Sequence, residues 1–479
     1  MQAGPGAENA FGGVAQAYAD SVPILLLPAG ASRRRSNVDP VFSPTISYQS
    51  ITKWAAQINF ADRVPELMRR AYTHLRSGKP GPVLLEIPGD LHTEEIGEED
   101  FDYEPPMILR TAGDPESVNK AVDALLSAKR PVIFAGQGVL YSDATQELLT
   151  IAEHLQIPVI TTLEGKSAFP ENHPLSLGIG GSSTTEAVHE FLNASDLVFG
   201  IGASFTKSNY TVPIPPGKTI IHATNSDSDI NKDYKSQHPI VGDAKLVLNQ
   251  FMEGIRNSSD NAPRTPDTEL TTKIQQHKQH WLDQWMPRLT SDEIPINPYR
   301  VIWDIMKAVD LDNTIVTHES GSSREQVTPF WEARAPRSFI GWGKSTQLGY
   351  SLGLAFGAKL ASPDKQVINF MGDAAFGMVG LDVETAVREG IPITTIVMNN
   401  YTMGIYANSR MPTAIERYNT KSLSGEFSEV AKALGAYSEK ITDPSEIIPA
   451  MQRARAANES GKYALLEFIT VEDGTFSKY

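Results

Sequence analysis

Residues 365–400, "KQVINFMGDAAFGMVGLDVETAVREGIPITTIVMNN", contain two apolar runs separated by a segment with helical spacing. The first run predicts a strand that ends at Gly372, and "LDVETAVREG" (381–390) predicts a helix that stops at a glycine. "IPITTIVMNN" (391–400) then predicts a second strand. A strand, a crossover helix and a strand in so short a stretch form a β-α-β unit, so we expect the two strands to be parallel and adjacent.

A polar side chain follows each strand, Asp373 after the first and Asn400 after the second. Parallel neighbours lie about 4.8 Å apart and end at the same edge, so both side chains can aim oxygens at one point. Mg²⁺ takes oxygen ligands at about 2.1 Å from protein, water and phosphate. The small residues Ala374 and Ala375 would let a phosphate approach backbone N–H groups. The pattern predicts a Mg²⁺–diphosphate clamp, and a solvated aspartate in an ordinary loop is the alternative.

The rest of the chain predicts the same α/β architecture of doubly wound parallel sheets, because apolar runs bounded by Gly and Pro alternate with helical segments. A chain of 479 residues is expected to form about three domains. We predict a first domain at 1–92, a central nucleotide-type domain at 107–255 and a third domain at 290–479. An acidic connector at 93–106 and a polar linker at 256–267 separate them.

Composition argues against several functions. The net charge of −15 and pI near 5.2 argue against nucleic-acid binding, and the single basic run, "SRRRS" (32–36), is predicted to be a solvated loop. The absence of cysteine excludes disulfides and thiolate metal sites and fits a cytoplasmic protein. The apolar stretch "VPILLLPAG" (22–30) is far shorter than the roughly 20 residues of a membrane span, so we expect no membrane partner.

"GDAAF" followed at a distance by "NN" resembles the signature of the thiamin-diphosphate-dependent enzymes of the acetolactate synthase and 2-oxoacid decarboxylase group. "GKPGPVLLEIPGD" (78–90) is similar to part of the family's pyrimidine-binding domain, and "RPVIFAGQGV" (130–139) to part of its central domain. "STQLGYSLGLAFGAKLA" (345–361) resembles the helix before the Mg²⁺ strand. The similar segments follow the family's order along nearly the whole chain. The resemblance implies pyrimidine-binding, central and diphosphate-binding domains, of which the first is incomplete.

The resemblance also implies the site residues. Asp373, the Asn400 side chain and the backbone carbonyl of Thr402 would ligate Mg²⁺. Leu348 would be the apolar wedge that keeps the cofactor bent, and the alternative is a core leucine of a helix. Backbone carbonyls near Thr346 and Thr402 would hold the pyrimidine amine. The residues expected to contact the cofactor are Gly321, Ser322, Ser323, Thr346, Leu348, Gly372, Ala374, Ala375 and Met403.

The chain departs from the family at several points. Gly321, Ser322 and Ser323 stand where acetolactate synthases carry a Gly-Gln-His pattern, although serine hydroxyls can still donate to phosphate. The family's catalytic glutamate precedes "GPG" (4–6), so no residue is assigned to it, and we expect Met1 to be an internal methionine of a longer protein.

A further departure concerns the central domain, and the strand before "GSS" (321–323) ends in two more candidate residues. The segment "LVFGIGASFT" (197–206) is not followed by the arginine-rich flavin contact of acetolactate synthases, which argues against FAD. His318 and Glu319, at the end of the predicted strand "TIVTHES" (314–320), either face substrate or are structural.

The leading hypothesis is thiamin-diphosphate- and Mg²⁺-dependent decarboxylation of a small, pyruvate-like 2-oxoacid with carboligation to an acceptor. The alternatives are an acyl-CoA decarboxylase, acting for example on oxalyl-CoA, and an inactive cofactor-binding fragment. The family's active sites lie between two chains, so the resemblance implies a homodimer or homotetramer. Neither the substrate nor the acceptor follows from the sequence.

Overall fold

Three parallel β-sheets, each packed against helices, follow one another along the chain. Within the described residues every strand pairing in these sheets is parallel, which confirms the predicted α/β class. The boundaries proposed for the three domains stay a prediction. The computed structural model describes residues 1–36, 38–97, 101–259, 261–341, 344–345, 347–404 and 409–479.

The first sheet is built around one buried strand. It contains strands β1 (Leu25–Leu26), β2 (Ala29–Gly30), β3 (Trp54–Gln57) and β4 (Val83–Pro88). Its helices are α1 (Pro5–Ala19), α2 (Pro44–Ser47) and α3 (Val64–Arg76). β4 pairs with each of the other three strands. Leu84 and Leu85 face different apolar clusters, because β4 is covered on both sides.

The second sheet has the strand order β10-β9-β8-β5-β6-β7. Its strands are β5 (Pro131–Ala135), β6 (Val159–Thr161), β7 (Ser176–Ile179), β8 (Leu197–Ile201), β9 (Thr219–Thr224) and β10 (His238–Val241). Its helices are α4 (Pro115–Ser127), α5 (Gln137–Tyr141), α6 (Thr145–Leu155), α7 (Glu186–Ala194) and α8 (Ala244–Asn257). The order runs outward in both directions from β5, which is the doubly wound pattern that the sequence predicts.

A long helix, α9 (Thr268–Leu289), connects the second sheet to the third. Trp281 and Trp285 lie on one side of it, and their rings contact Phe330 with centroid distances of 4.9 and 5.1 Å. These contacts fix the helix to the core of the third sheet, because large aromatic surfaces bury well together.

The third sheet has the strand order β12-β11-β13-β14-β16-β15. Its strands are β11 (Thr314–His318), β12 (Phe339–Ile340), β13 (Gln366–Gly372), β14 (Thr394–Asn399), β15 (Tyr437–Ile441) and β16 (Ala464–Ile469). Its helices are α10 (Pro298–Ala308), α11 (Ser322–Phe330), α12 (Tyr350–Ala361), α13 (Asp373–Val379), α14 (Val383–Arg388), α15 (Pro412–Tyr418), α16 (Phe427–Ala433) and α17 (Ile447–Glu459).

The β13–β14 unit matches the prediction with one correction. The two strands are parallel neighbours, and Gly372 pairs with Met398. The crossover is not one helix at 381–390, because α13 begins at Asp373 directly after the strand. A short 3₁₀ segment, Gly380–Asp382, separates α13 from α14. The small and apolar residues after Gly372 are compatible with a helix, and the sequence pattern alone did not distinguish them from a turn.

Short 3₁₀ helices connect several of the elements above. They are Arg33–Arg35, Gln49–Ile51, Ala61–Arg63, Gly89–Thr93, Asp227–Asp229, Gly380–Asp382 and Pro444–Glu446. The basic run that we predicted as a loop is the first of them, and Arg33 is paired with Asp90 and Glu94. In the part of the chain that the structure describes, no helix combines the length and the apolar character needed to cross a membrane.

Candidate active site

The carboxyl ends of β11, β13 and β14 open onto one cleft. Because β13 and β14 are parallel neighbours, Asp373 and Asn400 lie side by side at this edge. The predicted site residues that line the cleft are Gly321, Ser322, Ser323, Leu348, Gly372, Asp373, Ala374, Ala375, Asn400, Thr402 and Met403. Thr346, the remaining predicted site residue, lies outside the described residues. The structure therefore brings all the described members of the predicted set into one place.

Asp373 is the first residue of α13 and is 4% exposed. Its Oδ1 accepts a hydrogen bond of 2.8 Å from the N–H of Ala374. Its Oδ2 is buried and accepts no hydrogen bond. Burial raises the pKa of Asp373 to about 6, although nearby backbone N–H groups in the loop after β14 act in the opposite direction. A buried carboxylate oxygen without a donor is costly, and a cation at that position would relieve the cost.

Asn400 lines the cleft, and its side-chain amide oxygen already accepts two hydrogen bonds. Its Oδ1 accepts hydrogen bonds from the Thr402 N–H at 3.0 Å and from Thr402 Oγ1 at 2.9 Å. These two hydrogen bonds hold the side chain against the loop that follows β14. Among the described residues, no group of three or more His, Cys, Asp or Glu side chains is arranged to hold a metal. A cation at Asp373 would accordingly rely on one carboxylate together with amide and backbone oxygens.

The loop after β14 is held by buried polar groups. Tyr401 has a φ of 57°, in the left-handed region, and its N–H donates to Asn399 Oδ1 at 3.0 Å. The Asn399 amide in turn donates to Glu467 Oε1 at 2.7 Å. Backbone hydrogen bonds of 2.8 Å from Leu423 to Tyr401 and from Met403 to Lys421 fix the other side of the loop. These contacts give the segment 400–403 a defined shape before any ligand binds.

Sequence reasoning missed Asn399 and Glu467, although both carry a signal. Glu467 is a single charged residue inside the apolar strand "ALLEFI", and it is fully buried. A charge at such a position needs buried donors, which Asn399 and the N–H of Ser428 provide. An acid that interrupts an apolar strand can therefore indicate a buried polar network nearby.

The opposite wall of the cleft is the first turn of α11. Gly321 has a φ of 80°, and a side chain added there would contact nothing within 4 Å. Ser323 Oγ lies 3.9 Å from the position of a Cβ on Gly372, and Ser322 Oγ lies 3.5 Å from that of a Cβ on Gly404. The two serine hydroxyls thus lie close to Gly372 and Gly404, which have no side chains. This leaves room for a group such as a phosphate between the serines and the glycines.

Residues 318 and 319 do not line the cleft. His318 and Glu319 are fully buried at the end of β11. Burial lowers the pKa of His318 to about 4, so its imidazole is neutral near pH 7. Their burial favours the structural alternative over the one in which the two residues face substrate.

Two residues that the sequence did not predict also line the cleft, and they come from distant parts of the chain. Tyr210, from the segment after β8, and Arg324 of α11 both line the cleft. The Arg324 guanidinium carbon lies 4.1 Å from the centroid of the Tyr210 ring, and Arg324 Nε donates to Glu325 Oε1 at 2.8 Å. The central domain therefore contributes an aromatic side chain to this site through a cation–π contact.

A separate crevice lies at the carboxyl edge of the central sheet. The Phe205 ring occupies the end of β8, where a Cβ on Gly200 would come within 2.3 Å of it. Phe205 also contacts Phe134 and His222, with centroid distances of 5.8 and 4.8 Å. Lys79 and Lys344 line the same crevice and are paired with Asp229 and Glu164. That FAD is not bound stays a prediction.

Comparisons with known proteins agree with this architecture. Residues 118–251 match the thiamine pyrophosphate enzyme central domain. Residues 319–468 match the thiamine pyrophosphate enzyme C-terminal TPP binding domain. Thiamine pyrophosphate is another name for thiamin diphosphate. All the described residues of the predicted cofactor site lie within the second match.

Several curated proteins are similar along nearly the whole chain. A probable acetolactate synthase large subunit from Methanocaldococcus jannaschii is 32% identical over 480 residues, which is 95% of this chain and 78% of that protein. An acetolactate synthase large subunit from Corynebacterium glutamicum is 29% identical over 497 residues, 98% of this chain and 76% of that protein. A glyoxylate carboligase from Escherichia coli is 30% identical over 470 residues, with 95% and 78% covered.

The fold and the matches together define the class of protein: a thiamin-diphosphate-dependent enzyme. The chain belongs to the acetolactate synthase-like family of these enzymes. The resemblance seen in the sequence is confirmed.

Proposed function

We propose that this enzyme decarboxylates a small, pyruvate-like 2-oxoacid and joins the remaining acyl fragment to an acceptor, in a Mg²⁺- and thiamin-diphosphate-dependent reaction. The relatives named acetolactate synthase and glyoxylate carboligase support the carboligase type of reaction. One structural observation supports it most directly: the buried, unpartnered Oδ2 of Asp373 lies at the floor of a cleft lined by glycines and hydroxyls.

The residues of the cleft fit the cofactor's diphosphate and a Mg²⁺ ion. Asp373, the Asn400 side chain and the Thr402 carbonyl would hold the cation, because hard cations prefer oxygen ligands. Ala374 and Ala375 would leave backbone N–H groups accessible to the phosphates. When bound, thiamin diphosphate supplies an electron sink that allows a 2-oxoacid to lose CO₂.

Leu348 would support the cofactor's bent shape from the side of α12. The side chain is half-buried, lines the cleft and packs against the apolar cluster that contains Leu352 and Ala375. An apolar surface at this position excludes water from one side of the cleft. The residue would therefore orient the cofactor and would not exchange protons.

We further propose that the enzyme works as a homodimer or homotetramer. Met378 of α13 and Leu381 just after it are 62% and 73% exposed. Exposed apolar side chains next to a ligand cleft are typical of surfaces that a second subunit covers. Light scattering of the purified protein tests this proposal, and a monomer at micromolar concentration with full activity would contradict it.

The experiment that tests the function measures CO₂ release from pyruvate by the protein supplied with Mg²⁺ and thiamin diphosphate. Product analysis with pyruvate or glyoxylate as acceptor then identifies the carboligation. The variant Asp373→Asn is expected to lose cofactor binding and CO₂ release, whereas Asp382→Asn, which changes an exposed acid of the same crossover, should behave as the unmodified protein.

Three results would contradict the proposal. Release of CO₂ from oxalyl-CoA but from no small 2-oxoacid would indicate the acyl-CoA reaction instead. Tight Mg²⁺-dependent cofactor binding without any exchange of the cofactor's C2 proton, followed by NMR, would indicate an inactive binding protein. Activity that is unchanged in Asp373→Asn would remove the cation site from its proposed place.

A further inference from the structure

A single buried carboxylate joins the two walls of the candidate cleft. Glu319 follows the last residue of β11 and is fully buried. Its Oε2 accepts hydrogen bonds from the N–H of Gly349 at 3.1 Å, the N–H of Ser351 at 3.3 Å and Ser351 Oγ at 2.7 Å. These donors belong to the α12 turn, residues 348–351, which carries Leu348.

The second oxygen of Glu319 faces the other wall. Its Oε1 accepts a hydrogen bond of 2.8 Å from the N–H of Ser320. Ser320 begins the α11 turn, residues 320–323, whose glycine and hydroxyls line the cleft. The two oxygens of one side chain therefore bind the wall with the apolar wedge and the wall with the hydroxyls.

Neighbouring contacts strengthen the same junction. Tyr350 Oη donates to the carbonyl of His318 at 2.8 Å, and Thr317 Oγ1 lies 3.4 Å from the carbonyl of Ser351. Gly349 has a φ of 94°, and a Cβ there would meet Val379 at 2.4 Å. The α12 turn is therefore tightly packed. A substitution that moves the Glu319 carboxylate will also move Leu348.

The chemistry of the junction makes it sensitive to the charge of Glu319. Every described hydrogen-bond donor to this carboxylate is a backbone N–H or a hydroxyl. A buried carboxylate is stable only when donors surround it. The two turns supply those donors, so their relative position depends on the carboxylate between them.

We propose that Glu319 is a positioning residue that sets the separation between Leu348 and the α11 turn, and thereby the fit of the cofactor in the cleft. This inference rests on the proposed function, because it assigns a role toward the cofactor of that reaction. Glu319 itself does not touch the cofactor. It acts through the backbone of the two turns.

The test compares Glu319→Gln with the unmodified protein. A glutamine presents an N–H₂ group to one of the N–H donors, so at least one turn loses its acceptor and faces a second donor. We expect the dissociation constant for thiamin diphosphate, measured by calorimetry at saturating Mg²⁺, to rise about tenfold or more. We also expect the C2 proton exchange of bound cofactor, measured by NMR, to slow by about tenfold.

A matched control separates positioning from general loss of stability. Asp196, which precedes β8 and does not line the cleft, accepts hydrogen bonds from the N–H groups of Lys129 and Arg130 at 2.8 and 2.9 Å. Asp196→Asn makes the same carboxylate-to-amide change against backbone donors. It should lower the melting temperature without changing the cofactor's dissociation constant.

A milder variant keeps the test decisive if Glu319→Gln does not fold. Ser351→Ala removes only the 2.7 Å hydroxyl bond, and we expect a threefold to tenfold weaker cofactor binding, roughly the worth of one charge-assisted hydrogen bond. Folded Glu319 or Ser351 variants that bind the cofactor as tightly as the unmodified protein would overturn the positioning role alone. An unmodified protein that binds no cofactor would overturn the proposed function as well.

Discussion

The side-chain amide of Asn399 donates to Glu467 Oε1 over 2.7 Å, and both residues are completely buried between β14 and β16. Through this bond the third sheet controls the loop that carries two of the proposed cation ligands. Asn399 accepts the N–H of Tyr401, and Glu467 Oε2 accepts the N–H of Ser428. The loop geometry therefore depends on the buried Asn399–Glu467 pair, which does not itself line the cleft.

Asn399→Ala is expected to lower the free energy of unfolding by about 2–4 kcal/mol, because it leaves a buried Glu467 oxygen and the Tyr401 N–H without partners. Urea denaturation followed by far-UV circular dichroism measures this change. Asn193→Ala is the control, since Asn193 is exposed on α7, and its effect should stay within about 0.5 kcal/mol. Equal effects of the two substitutions would contradict the role of the pair.

The pKa of Asp373 predicts how the stability of the cofactor-free protein changes with pH. Burial raises this pKa to about 6, above the value of about 3.9 in an unfolded chain. Between these two values the folded state binds more protons than the unfolded state, so the contribution of Asp373 to stability falls as pH rises through this window.

Asp373→Asn should therefore be more stable than the unmodified protein well above pH 6, by about 3 kcal/mol, when Mg²⁺ is chelated. The difference should shrink to about 0.5 kcal/mol at pH 4, where the carboxyl is protonated in the folded state and about half protonated in the unfolded state. Denaturation curves at pH 4 and pH 7.5 measure it. A stability difference that does not depend on pH would show that burial does not raise the pKa of Asp373.

Ala374→Val is expected to weaken cofactor binding by about tenfold or more, because a branched side chain would block the approach of a phosphate to the backbone. Its cost to stability should be only about 0.5 kcal/mol, the helix-propensity difference. Gly377→Ala in the same helix is the control. A Cβ at Gly377 meets nothing within 4 Å, so this variant should be about 0.5–1 kcal/mol more stable and bind as before.

Leu348→Ala should reduce CO₂ release at saturating cofactor by about tenfold, since the cofactor loses its apolar support. The free energy of unfolding should fall by only about 1–2 kcal/mol, because the side chain is half-buried. Leu348→Met keeps the volume and should stay within about twofold of the unmodified rate. If the rate of CO₂ release in both variants changed only in proportion to their stability, Leu348 would be a packing residue of α12 and not a support for the cofactor.

The sequence predicts those parts of the site that lie on local structure. Asp373 and Asn400 could be paired because a β-α-β unit fixes its own strand order and direction. The start of α13 at Asp373 could not be predicted in the same way, since "GDAAF" is compatible with both a turn and a helix. The residue types agreed with either outcome, and tertiary packing decided between them.

Contacts between distant parts of the chain were beyond sequence reasoning. Tyr210 and Arg324 meet across two domains, and Asn399 and Glu467 meet across two strands with a long intervening segment. Nothing local in "KSNYT" indicates that a tyrosine reaches another domain's cleft. Glu319 illustrates the same limit, because its role follows from hydrogen bonds to a helix some thirty residues later.

The proposed cation ligands Asp373, Asn400 and Thr402 all belong to one β-α-β unit and its following loop. During folding, such short-range contacts form early because they close small loops. Because Glu467 of β16 holds the loop after β14 through Asn399, we expect the cation site to be assembled once the third sheet has formed, before the first and third domains dock. Mg²⁺ and the cofactor would then favour an early folding intermediate as well as the finished enzyme, and refolding should be faster in their presence.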